Sequence, residues 1–573
     1  MAQAQARAMR LPSWRRRVLL LALMASSAAL LFRAIYLQGM HREFLQDQGD
    51  QRYSRTISLF AHRGMITDRN NEPMAISTPV ESVWASPPDV KIKPGQMKRL
   101  ADLLKLKPQD ISKKLKNQDR EFVYLRRRMA PEDAARVMQL DVPGVFLQRE
   151  YRRFYPAGET AAHLIGFTGI DDKGQEGVEL LYQDVLAGKQ GSRRVIKDRQ
   201  GHIIEDLEAV KVPQEGRDLA LSIDRRIQYL AHRELAKAIE INKAKAGAIV
   251  VLDARTGEVL ALANQPTYNP NKPTNLWETG RNRAIVDIFE PGSTLKPFAA
   301  AGALQAGTFQ PDTLIHTGTG RISIGSAVIS DAHAAGTITV AQVIQKSSNV
   351  GSTRMALSLR PQAMWSTFNQ LGFGTSPNVG FPGEAKGRVR PWQGWKPIEQ
   401  ATMSYGHGIS VSLIQLARAY GAFASDGEIK PISLVKLKDA PIGQQVFSPQ
   451  VAKDVRTMLE MVVQPGGTAQ QAQVSGYRVA GKTGTSHKLI NGQYAEDQYV
   501  SSFVGFAPAS DPRLIIAVMV DEPSAGKYYG GAVAAPVFSA VMSGALRTLA
   551  IPQDGGTAVI PPSWISPYTK EHT

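Results

Sequence analysis

The sequence predicts an α+β protein with a single N-terminal transmembrane helix, an exported middle segment and a C-terminal antiparallel sheet covered by helices. Three observations support this fold class: a charge-free apolar run near the N-terminus, two pairs of apolar runs joined by polar turns, and helical spacing at both ends of the C-terminal part. The 573 residues, 43% hydrophobic and 21% charged, have the composition of a folded chain. The absence of cysteine excludes disulfides, thiolate nucleophiles and thiolate metal sites.

The N-terminus is typical of a membrane anchor. Residues 1–17 contain five arginines and no acidic residue, and the next fifteen residues carry no charge. The apolar character continues to Leu37, which gives about twenty positions, or about 30 Å of helix. A cleaved signal peptide is the alternative, but Arg33 and Tyr36 stand where a small-residue cleavage pattern would follow. We predict a cytoplasmic tail over 1–17 and a transmembrane helix over 18–37, with everything after it outside the cytoplasm.

The segment from 221 to 550 has the pattern of a separate domain. Apolar residues recur at helical spacing after Asp224, whose side chain is placed to cap the helix. Two hairpins are predicted from paired apolar runs: AGAIVVLDA with GEVLALAN, and YVSSFVGFAP with RLIIAVMVDEP. A helical stretch over 533–549 closes this domain, and residues 551–573, rich in Pro and Gly, are predicted to form a flexible tail.

The stretch GYRVAGKT, residues 476–483, matches the G-x-x-x-x-G-K-[ST] pattern of a phosphate-binding loop. A phosphate loop must open a helix whose N-terminus faces the phosphates. Here TGTSHKLINGQYAEDQ follows without a helical period, and cytoplasmic ATP does not reach an exported domain. We therefore predict that this segment does not bind a nucleotide.

The pattern Ser-x-x-Lys occurs three times, at Ser293, Ser433 and Ser524, so a single match carries little weight. The first match differs because FEPGSTLKPFAAAGALQAG has the apolar spacing of a helix that begins near Ser293. On a helix, residues i and i+3 share one face, so the Lys296 amine can reach the Ser293 hydroxyl. This arrangement predicts a serine nucleophile with a lysine base, provided that burial keeps Lys296 partly neutral.

Two further elements would complete such a site. Ser-x-Asn occurs as Ser347-Ser348-Asn349 after a short amphipathic segment, and as Ser376-Pro377-Asn378 in a Gly/Pro loop, where a turn is predicted. Lys482-Thr483-Gly484-Thr485 occurs once, before the last hairpin. Its ammonium, its hydroxyl and the close backbone approach past glycine suit a substrate carboxylate and an extended peptide. A Ser-His-Asp triad is the alternative, but no G-x-S-x-G pattern accompanies the ten histidines.

In this order, S-T-L-K, S-S-N and K-T-G resemble the active-site set of penicillin-binding proteins and serine β-lactamases. The resemblance extends to RGMITDRN, RRFYPAGETAAHLIGFTG, GQEGVEL, GISVSLIQLARAYG and AGKYYGGAVAAPVF, which are similar to class B penicillin-binding proteins, in particular the division-specific transpeptidases. His407 in SYGHGIS departs from the family pattern. The resemblance implies an elongated, non-catalytic pedestal domain of the dimerisation type over 38–220 and a β-lactamase-like transpeptidase domain over 221–550.

The resemblance also implies the reaction: D,D-transpeptidation of peptidoglycan stem peptides that end in D-Ala-D-Ala, at the division septum. Ser293 would attack the carbonyl of the penultimate D-Ala while Lys296 takes its proton. Ser347, helped by Lys482, would relay a proton to the leaving D-Ala. An amine of a neighbouring stem would then resolve the acyl-enzyme into a cross-link.

Substrate binding is implied for the remaining motif residues. Asn349 would hydrogen-bond the bound peptide, and Thr483 and Gly484 would lie in the strand that receives it. The backbone N–H groups of Ser293 and Thr485 would stabilise the oxyanion, an interaction worth about 3–4 kcal/mol per donor in other acyl-transfer enzymes.

The resemblance implies partners and location as well. We expect no metal or cofactor, covalent inhibition by β-lactams and, despite the net charge of +17, no nucleic acid. The chain has no second catalytic domain to polymerise glycan. We therefore expect a membrane glycosyltransferase of the shape-and-division class (FtsW type) and other division proteins as partners. Ala25 and Ala29 form a small-residue patch on the anchor that suits close helix packing in the lipid bilayer.

The expected location is the bacterial inner membrane, with the N-terminus in the cytoplasm and the catalytic domain in the periplasm. Three alternatives share some of the motifs: an elongation-type transpeptidase, a β-lactam-hydrolysing or β-lactam-sensing protein, and a non-catalytic scaffold of the division complex.

Overall fold

The computed structural model describes residues 12–40, 54–197, 203–490, 492–555 and 560–568. Residues 1–11 of the predicted cytoplasmic tail, and 556–559 and 569–573 of the predicted C-terminal tail, lie outside the described residues.

Short elements follow one long helix in the first part of the chain. The helices are α1 Ser13–Ile35, α2 Pro94–Leu104, α3 Pro108–Leu115, α4 Pro131–Met138, α5 Ala162–Ile165, α6 Gly177–Leu181 and α7 Gln183–Leu186. The strands are β1 Ser54–Leu59, β2 Ile66–Thr67, β3 Pro73–Ala85, β4 Val123–Met129, β5 Val145–Phe154, β6 Gly191–Lys197, β7 Ile203–Lys211 and β8 Leu219–Ala220.

Longer helices and strands alternate in groups after residue 220. The helices are α8 Arg225–Ile241, α9 Leu276–Thr279, α10 Arg283–Val286, α11 Lys296–Gln305, α12 Val340–Lys346, α13 Asn349–Ser358, α14 Pro361–Gln370, α15 Pro397–Met403, α16 Leu413–Ala424, α17 Pro449–Val463, α18 Gly530–Val533 and α19 Ala535–Thr548. The strands are β9 Ala246–Asp253, β10 Val259–Gln265, β11 Leu314–Gly318, β12 Arg321–Ile324, β13 Ala327–Ser330, β14 Gly336–Thr339, β15 Glu428–Ile429, β16 Gln444–Gln445, β17 Ala480–Ile490, β18 Gln493–Ala507 and β19 Leu514–Asp521.

The predicted N-terminal apolar helix is present as α1. A span over Ser13–Gln38 is long and apolar enough to cross a membrane, with a mean hydropathy of 2.2. Its large apolar side chains, such as Leu30 and Phe32, are exposed rather than packed in a core. From Val18 to Phe32 this helix carries no charge and is unburied, which suits lipid, so α1 fits a single-pass membrane anchor.

The described chain forms two compact units that alternate along the sequence. The first comprises segments within 1–61, 79–150 and 189–214, and the second those within 62–78, 151–188 and 215–573. In the first unit, β1, β6 and β7 form an antiparallel sheet. A separate small core, which includes Val83, Leu100 and Leu125, lies under α2, α3 and α4.

The second unit is built around a five-stranded antiparallel sheet in the order β10-β9-β19-β18-β17. Both predicted hairpins are confirmed: β9 with β10, and β18 with β19. Every residue of β19 is buried, which explains its continuous apolar run: helices cover both faces of the sheet. A Cβ at Gly247 would meet Leu235 and Ile239 of α8, whereas one at Gly421 of α16 would touch Ile515, on the opposite face.

The helices begin and end as local sequence dictates. Asp224 caps α8, its side chain accepting the backbone N–H of Arg226. The predicted closing helix is α19. The domain boundaries at 221 and 550 stay predictions, because the second compact unit also contains residues 62–78 and 151–188.

The described part of the C-terminal tail, residues 560–568, makes hydrogen bonds to the rest of the chain, and the flexibility of 551–573 stays a prediction. Trp564 is buried, and its carbonyl accepts the Thr339 hydroxyl at 2.5 Å. The Ser566 N–H donates to the Gln342 side chain at 3.0 Å, and its hydroxyl donates to the Thr337 carbonyl at 2.8 Å. These are tertiary contacts to the start of α12, which no local pattern indicates.

Candidate active site

Ser293 lies in a single 3₁₀ turn, Gly292–Leu295, that leads directly into α11. Gly292 has a φ of +56°, a left-handed conformation that favours glycine, and this sets the sharp entry into the turn. Ser293 itself is half-buried, whereas its neighbour Thr294 is fully buried. The prediction of a helix that begins near Ser293 is confirmed, and its first turn is a 3₁₀ turn rather than an α-helical one.

Lys296, one turn on, is fully buried, and its hydrogen bonds go to the second motif. The Lys296 amine donates to the Ser347 carbonyl at 2.5 Å and to the Ser347 hydroxyl at 3.1 Å. Burial lowers the pKa of Lys296 to about 7, and the negative charge of Asp331 opposes that shift. The expected contact with Ser293 is not among the hydrogen bonds of the described residues, so the proton transfer from Ser293 to Lys296 stays a prediction.

Lys482 completes a pair of amines around one hydroxyl. Its amine donates to Ser347 Oγ at 2.9 Å, and its side chain is fully buried. Burial, and then the positive charge of Lys296, hold the pKa of Lys482 well below its usual value. The structure thus brings Lys296, Ser347 and Lys482, which are far apart in the sequence, into one hydrogen-bonded group.

The Ser347-Ser348-Asn349 turn joins α12 to α13. Ser347 has a left-handed backbone, and the Ser348 hydroxyl caps α13 by accepting the Gly351 N–H at 2.9 Å. Asp331 accepts the Ser348 hydroxyl at 2.7 Å and the Asn349 N–H at 2.5 Å. The sequence did not single out Asp331, because an aspartate after a hairpin has no local signature.

The Lys-Thr-Gly motif lies on β17, at the edge of the sheet. The Thr483 hydroxyl is 3.0 Å from that of Thr468, and the Thr485 hydroxyl accepts the Gly530 N–H at 3.0 Å. A Cβ at Gly484 would lie 2.7 Å from the Pro291 carbonyl, so this strand and the Ser293 turn are in backbone contact. Among the strands that the structure describes, β17 pairs only with β18, and an extended peptide can add to such an edge.

The structure also describes the sequence matches that compete with this site. A phosphate-binding loop would have to open a helix, but residues 480–490 form a strand, which agrees with the prediction that this segment binds no nucleotide. The Ser433 hydroxyl donates to the Val435 carbonyl, and the Lys436 amine donates to the Arg69 carbonyl. Ser376 lies outside the helices and strands, and its hydroxyl donates to the Glu384 carboxylate.

Glu290 is a second residue that the sequence did not indicate. Its carboxylate accepts the Gly408 N–H at 2.9 Å and the Tyr494 hydroxyl at 3.1 Å, which joins the loop after α15 to the β17–β18 hairpin. Burial raises the pKa of Glu290.

His407, beside Tyr405 and Tyr494, has its pKa lowered to about 4 by burial and by Lys296, so its imidazole is neutral at pH 7.

Comparison with known proteins accounts for this arrangement. Residues 247–543 match the penicillin-binding protein transpeptidase domain, and residues 58–221 match the penicillin-binding protein dimerisation domain. The peptidoglycan D,D-transpeptidase FtsI of Escherichia coli K12 is 42% identical over 95% of this chain and 93% of its own length. The chain belongs to the class B penicillin-binding proteins.

Other relatives agree with this class B assignment. A probable peptidoglycan D,D-transpeptidase PenA of Neisseria gonorrhoeae is 44% identical over 93% of this chain and 92% of its own. The transpeptidase domain of Burkholderia pseudomallei penicillin-binding protein 3 has a TM-score of 0.55, 49% identity, and coverage of 59% of this chain and 98% of its own. The family resemblance and the fold class drawn from the sequence are both confirmed.

Proposed function

We propose that this class B penicillin-binding protein is a serine-type peptidoglycan D,D-transpeptidase that cross-links stem peptides at the division septum and is acylated by β-lactams. One observation carries this proposal: the Ser347 hydroxyl lies between the buried amines of Lys296 and Lys482, next to the Ser293 turn. The named relatives are peptidoglycan D,D-transpeptidases, which supports the same reaction.

In the acylation step, Ser293 Oγ bonds to the carbonyl carbon of the penultimate D-Ala, and its proton passes to the neutral Lys296 amine. The C–N bond to the last D-Ala breaks, and Ser347 gives that nitrogen a proton, which Lys482 or Lys296 replaces. The oxyanion is held by the N–H groups of Ser293 and Thr485.

In the deacylation step, the amine nitrogen of a neighbouring stem peptide bonds to the same carbonyl carbon, and the ester bond to Ser293 Oγ breaks. The proton that the amine loses passes through Lys296 to Ser293 Oγ, which restores the hydroxyl. Asn349 and the β17 edge, with Thr483 and Gly484, hold the peptide in an extended form. No step needs a metal or cofactor.

The test is labelling of the full-length protein with a fluorescent penicillin, read by intact-mass spectrometry. We expect one adduct in the wild type and none in Ser293→Ala. Ser524→Ala is the matched control, because Ser524 begins another Ser-x-x-Lys match but is exposed. An adduct that persists in Ser293→Ala would overturn the assignment of the nucleophile. An adduct that hydrolyses within seconds would favour a β-lactam-hydrolysing protein instead.

The same proposal includes the location and the partner. The apolar run that starts at Val18 in α1, and the arginines that precede this run, support an inner-membrane protein with a cytoplasmic N-terminus and a periplasmic catalytic domain. A membrane glycosyltransferase of the FtsW type would supply the glycan strands. Fluorescent fusions of a functional copy should concentrate at the septum. Localisation along the side wall instead would favour the elongation-type alternative.

A further inference from the structure

The turn that carries Ser347 has a conformation that serine rarely adopts. α12 ends at Lys346, Ser347 has a φ of +61°, and α13 begins at Asn349. A left-handed backbone is unfavourable at a residue with a side chain, and it persists only where surrounding contacts hold it. The contacts around this turn therefore decide where the Ser347 hydroxyl lies.

Asp331 makes three of these contacts. One carboxylate oxygen accepts the Ser348 hydroxyl at 2.7 Å. The other accepts two backbone N–H groups, those of Asn349 at 2.5 Å and Val350 at 2.9 Å. Both N–H groups belong to the first turn of α13, where no acceptor exists within the helix and a negative charge is favourable. One carboxylate thus satisfies the donors that immediately follow Ser347.

Asp331 is itself fixed from the other side. It follows β13 directly, and its backbone N–H donates to the Gly320 carbonyl at 2.8 Å. The preceding carbonyl, of Ser330, accepts the Asn349 side-chain amide at 2.8 Å. The base of the β12–β13 hairpin therefore holds both the backbone and the amide of Asn349.

The carboxylate also acts on the buried amines. Among the described residues, three charged or titratable groups interact electrostatically with Lys296: Asp331, Lys482 and His407. Asp331 is the negative one, and it opposes the effect of burial on the Lys296 amine. Removing this charge disfavours the protonated amine further, so the pKa of Lys296 falls.

We propose that Asp331 is a positioning residue of the transpeptidase site, whose carboxylate fixes the turn that carries Ser347 and Asn349. The Ser347 hydroxyl thereby stays between Lys296 and Lys482. Asp331 acts through these residues, because its carboxylate bonds Ser348, Asn349 and Val350. This role rests on the proposed function, because it concerns the same acylation step.

The test measures the rate of acylation of the full-length protein by a fluorescent penicillin across pH. Asp331→Ala removes all three contacts, and we expect a loss of about tenfold or more at every pH. Asp331→Asn keeps an acceptor for the backbone N–H groups but removes the charge. We expect a smaller loss of acylation rate at high pH. We also expect the acidic limb, the part of the profile where the rate falls as Lys296 becomes protonated, to shift to lower pH. Asp312→Asn, an exposed carboxylate in the same stretch of chain, is the matched control and should match the wild type.

The pH profile separates this role from a structural one, because a merely loosened fold lowers the rate without moving the acidic limb. Wild-type protein that shows no adduct would overturn the proposed function and this inference with it. Wild type that is labelled, with both variants unchanged in rate and profile, would overturn this inference alone. If Asp331→Ala does not fold, Asp331→Asn decides by the same two readouts, and an unmoved limb in that variant contradicts the proposal.

Discussion

At the scale of single residues, two lysine amines share one serine hydroxyl, and burial decides their protonation. Lys296 and Lys482 are both fully buried, and each donates to Ser347 Oγ. Taking an ammonium out of water disfavours its charged form, and a second ammonium nearby adds repulsion. Burial lowers the pKa of both lysines. The positive charge of Lys296 adds to this effect at Lys482, whereas the negative charge of Asp331 opposes it at Lys296. The site can therefore hold a neutral amine at neutral pH, which a general base requires.

We expect Lys296→Arg to be nearly as inactive as Lys296→Ala. A guanidinium keeps the positive charge but stays protonated at any tolerable pH, so it cannot accept the Ser293 proton. Penicillin acylation rates measure the effect, with Lys527→Arg, an exposed lysine of another Ser-x-x-Lys match, as the control. If Lys296→Arg kept the rate within about tenfold, or about 1.4 kcal/mol of barrier, Lys296 would act only through its charge.

The acylation rate of the wild type should depend on pH through Lys296. Its pKa is lowered to about 7, and the neutral amine is the reactive form. The neutral fraction is nearly complete well above this pH and falls as pH drops through about 7. The rate should therefore reach a plateau above pH 8 and fall about tenfold per pH unit below about pH 6. A rate that stays flat from about pH 5 to 8 would contradict a titrating base.

At the scale of elements, Gly484 in β17 sets the distance between the strand and the turn that carries Ser293. A Cβ at Gly484 would lie 2.3 Å from the Ser502 hydroxyl, 2.7 Å from the Pro291 carbonyl and 2.9 Å from a Thr294 methyl group. Real Cβ contacts are not this short, so a side chain would push the strand and the turn apart. Glycine within a strand commonly marks such a close backbone approach.

Gly484→Ala should therefore separate Ser293 from Thr485 and lower penicillin acylation by about tenfold or more, because misplacement near 1 Å costs about 10²-fold in catalysis. Gly394→Ala is the control, since no atom lies within 4 Å of its added Cβ. Acylation rates and thermal melts of both variants are measured. An unchanged rate in Gly484→Ala would show that the contact with Pro291 is not needed.

At the scale of the whole molecule, three family-like motifs from the first part of the chain meet within the second compact unit. Arg63 and Arg153 each donate to Glu179, with Nε to carboxylate distances of 2.7 Å. All three side chains are almost fully buried. One carboxylate thus joins segments 62–78 and 151–188, which lie in that unit with the sheet.

Glu179→Gln should destabilise the second unit by about 3–5 kcal/mol, because it leaves two buried guanidinium groups without a negative partner. Denaturant unfolding of the full-length protein, followed by loss of penicillin binding, measures this. Glu240→Gln, an exposed position on α8, is the control and should change stability little. If Glu179→Gln were as stable as Glu240→Gln, water would be replacing the lost negative partner of the two arginines, and the prediction would be wrong.

The anchor allows a prediction about assembly. Ala25 and Ala29 lie on one face of α1, where small residues permit close approach of a second membrane helix. Replacing both with Leu keeps the span apolar, so insertion and penicillin acylation should be retained. If the proposed glycosyltransferase partner packs against this face, its recovery on co-purification with the double variant should fall. Full recovery, with normal septation, would leave α1 as a tether and move recognition to residues 39–220.

Local patterns predicted much of the fold and most of the candidate site. The hairpins β9–β10 and β18–β19 follow from their apolar runs, and the helix after Ser293 follows from its spacing. Asp331 and Glu290 were not indicated, since each acts by accepting N–H and O–H groups from residues distant in sequence. Such acceptors leave no period or spacing in the chain.

The sequence by itself determined the apolar anchor, the strands and helices around the motifs, and the family, because these depend on side chains close together in the chain. Only the tertiary structure decided that the Lys296 amine bonds Ser347, and that Lys482 shares the same hydroxyl. The physical reason is packing: α11, the α12–α13 turn and β17 come together only when the sheet and its helices exclude water. That exclusion of water also lowers the pKa of both lysines.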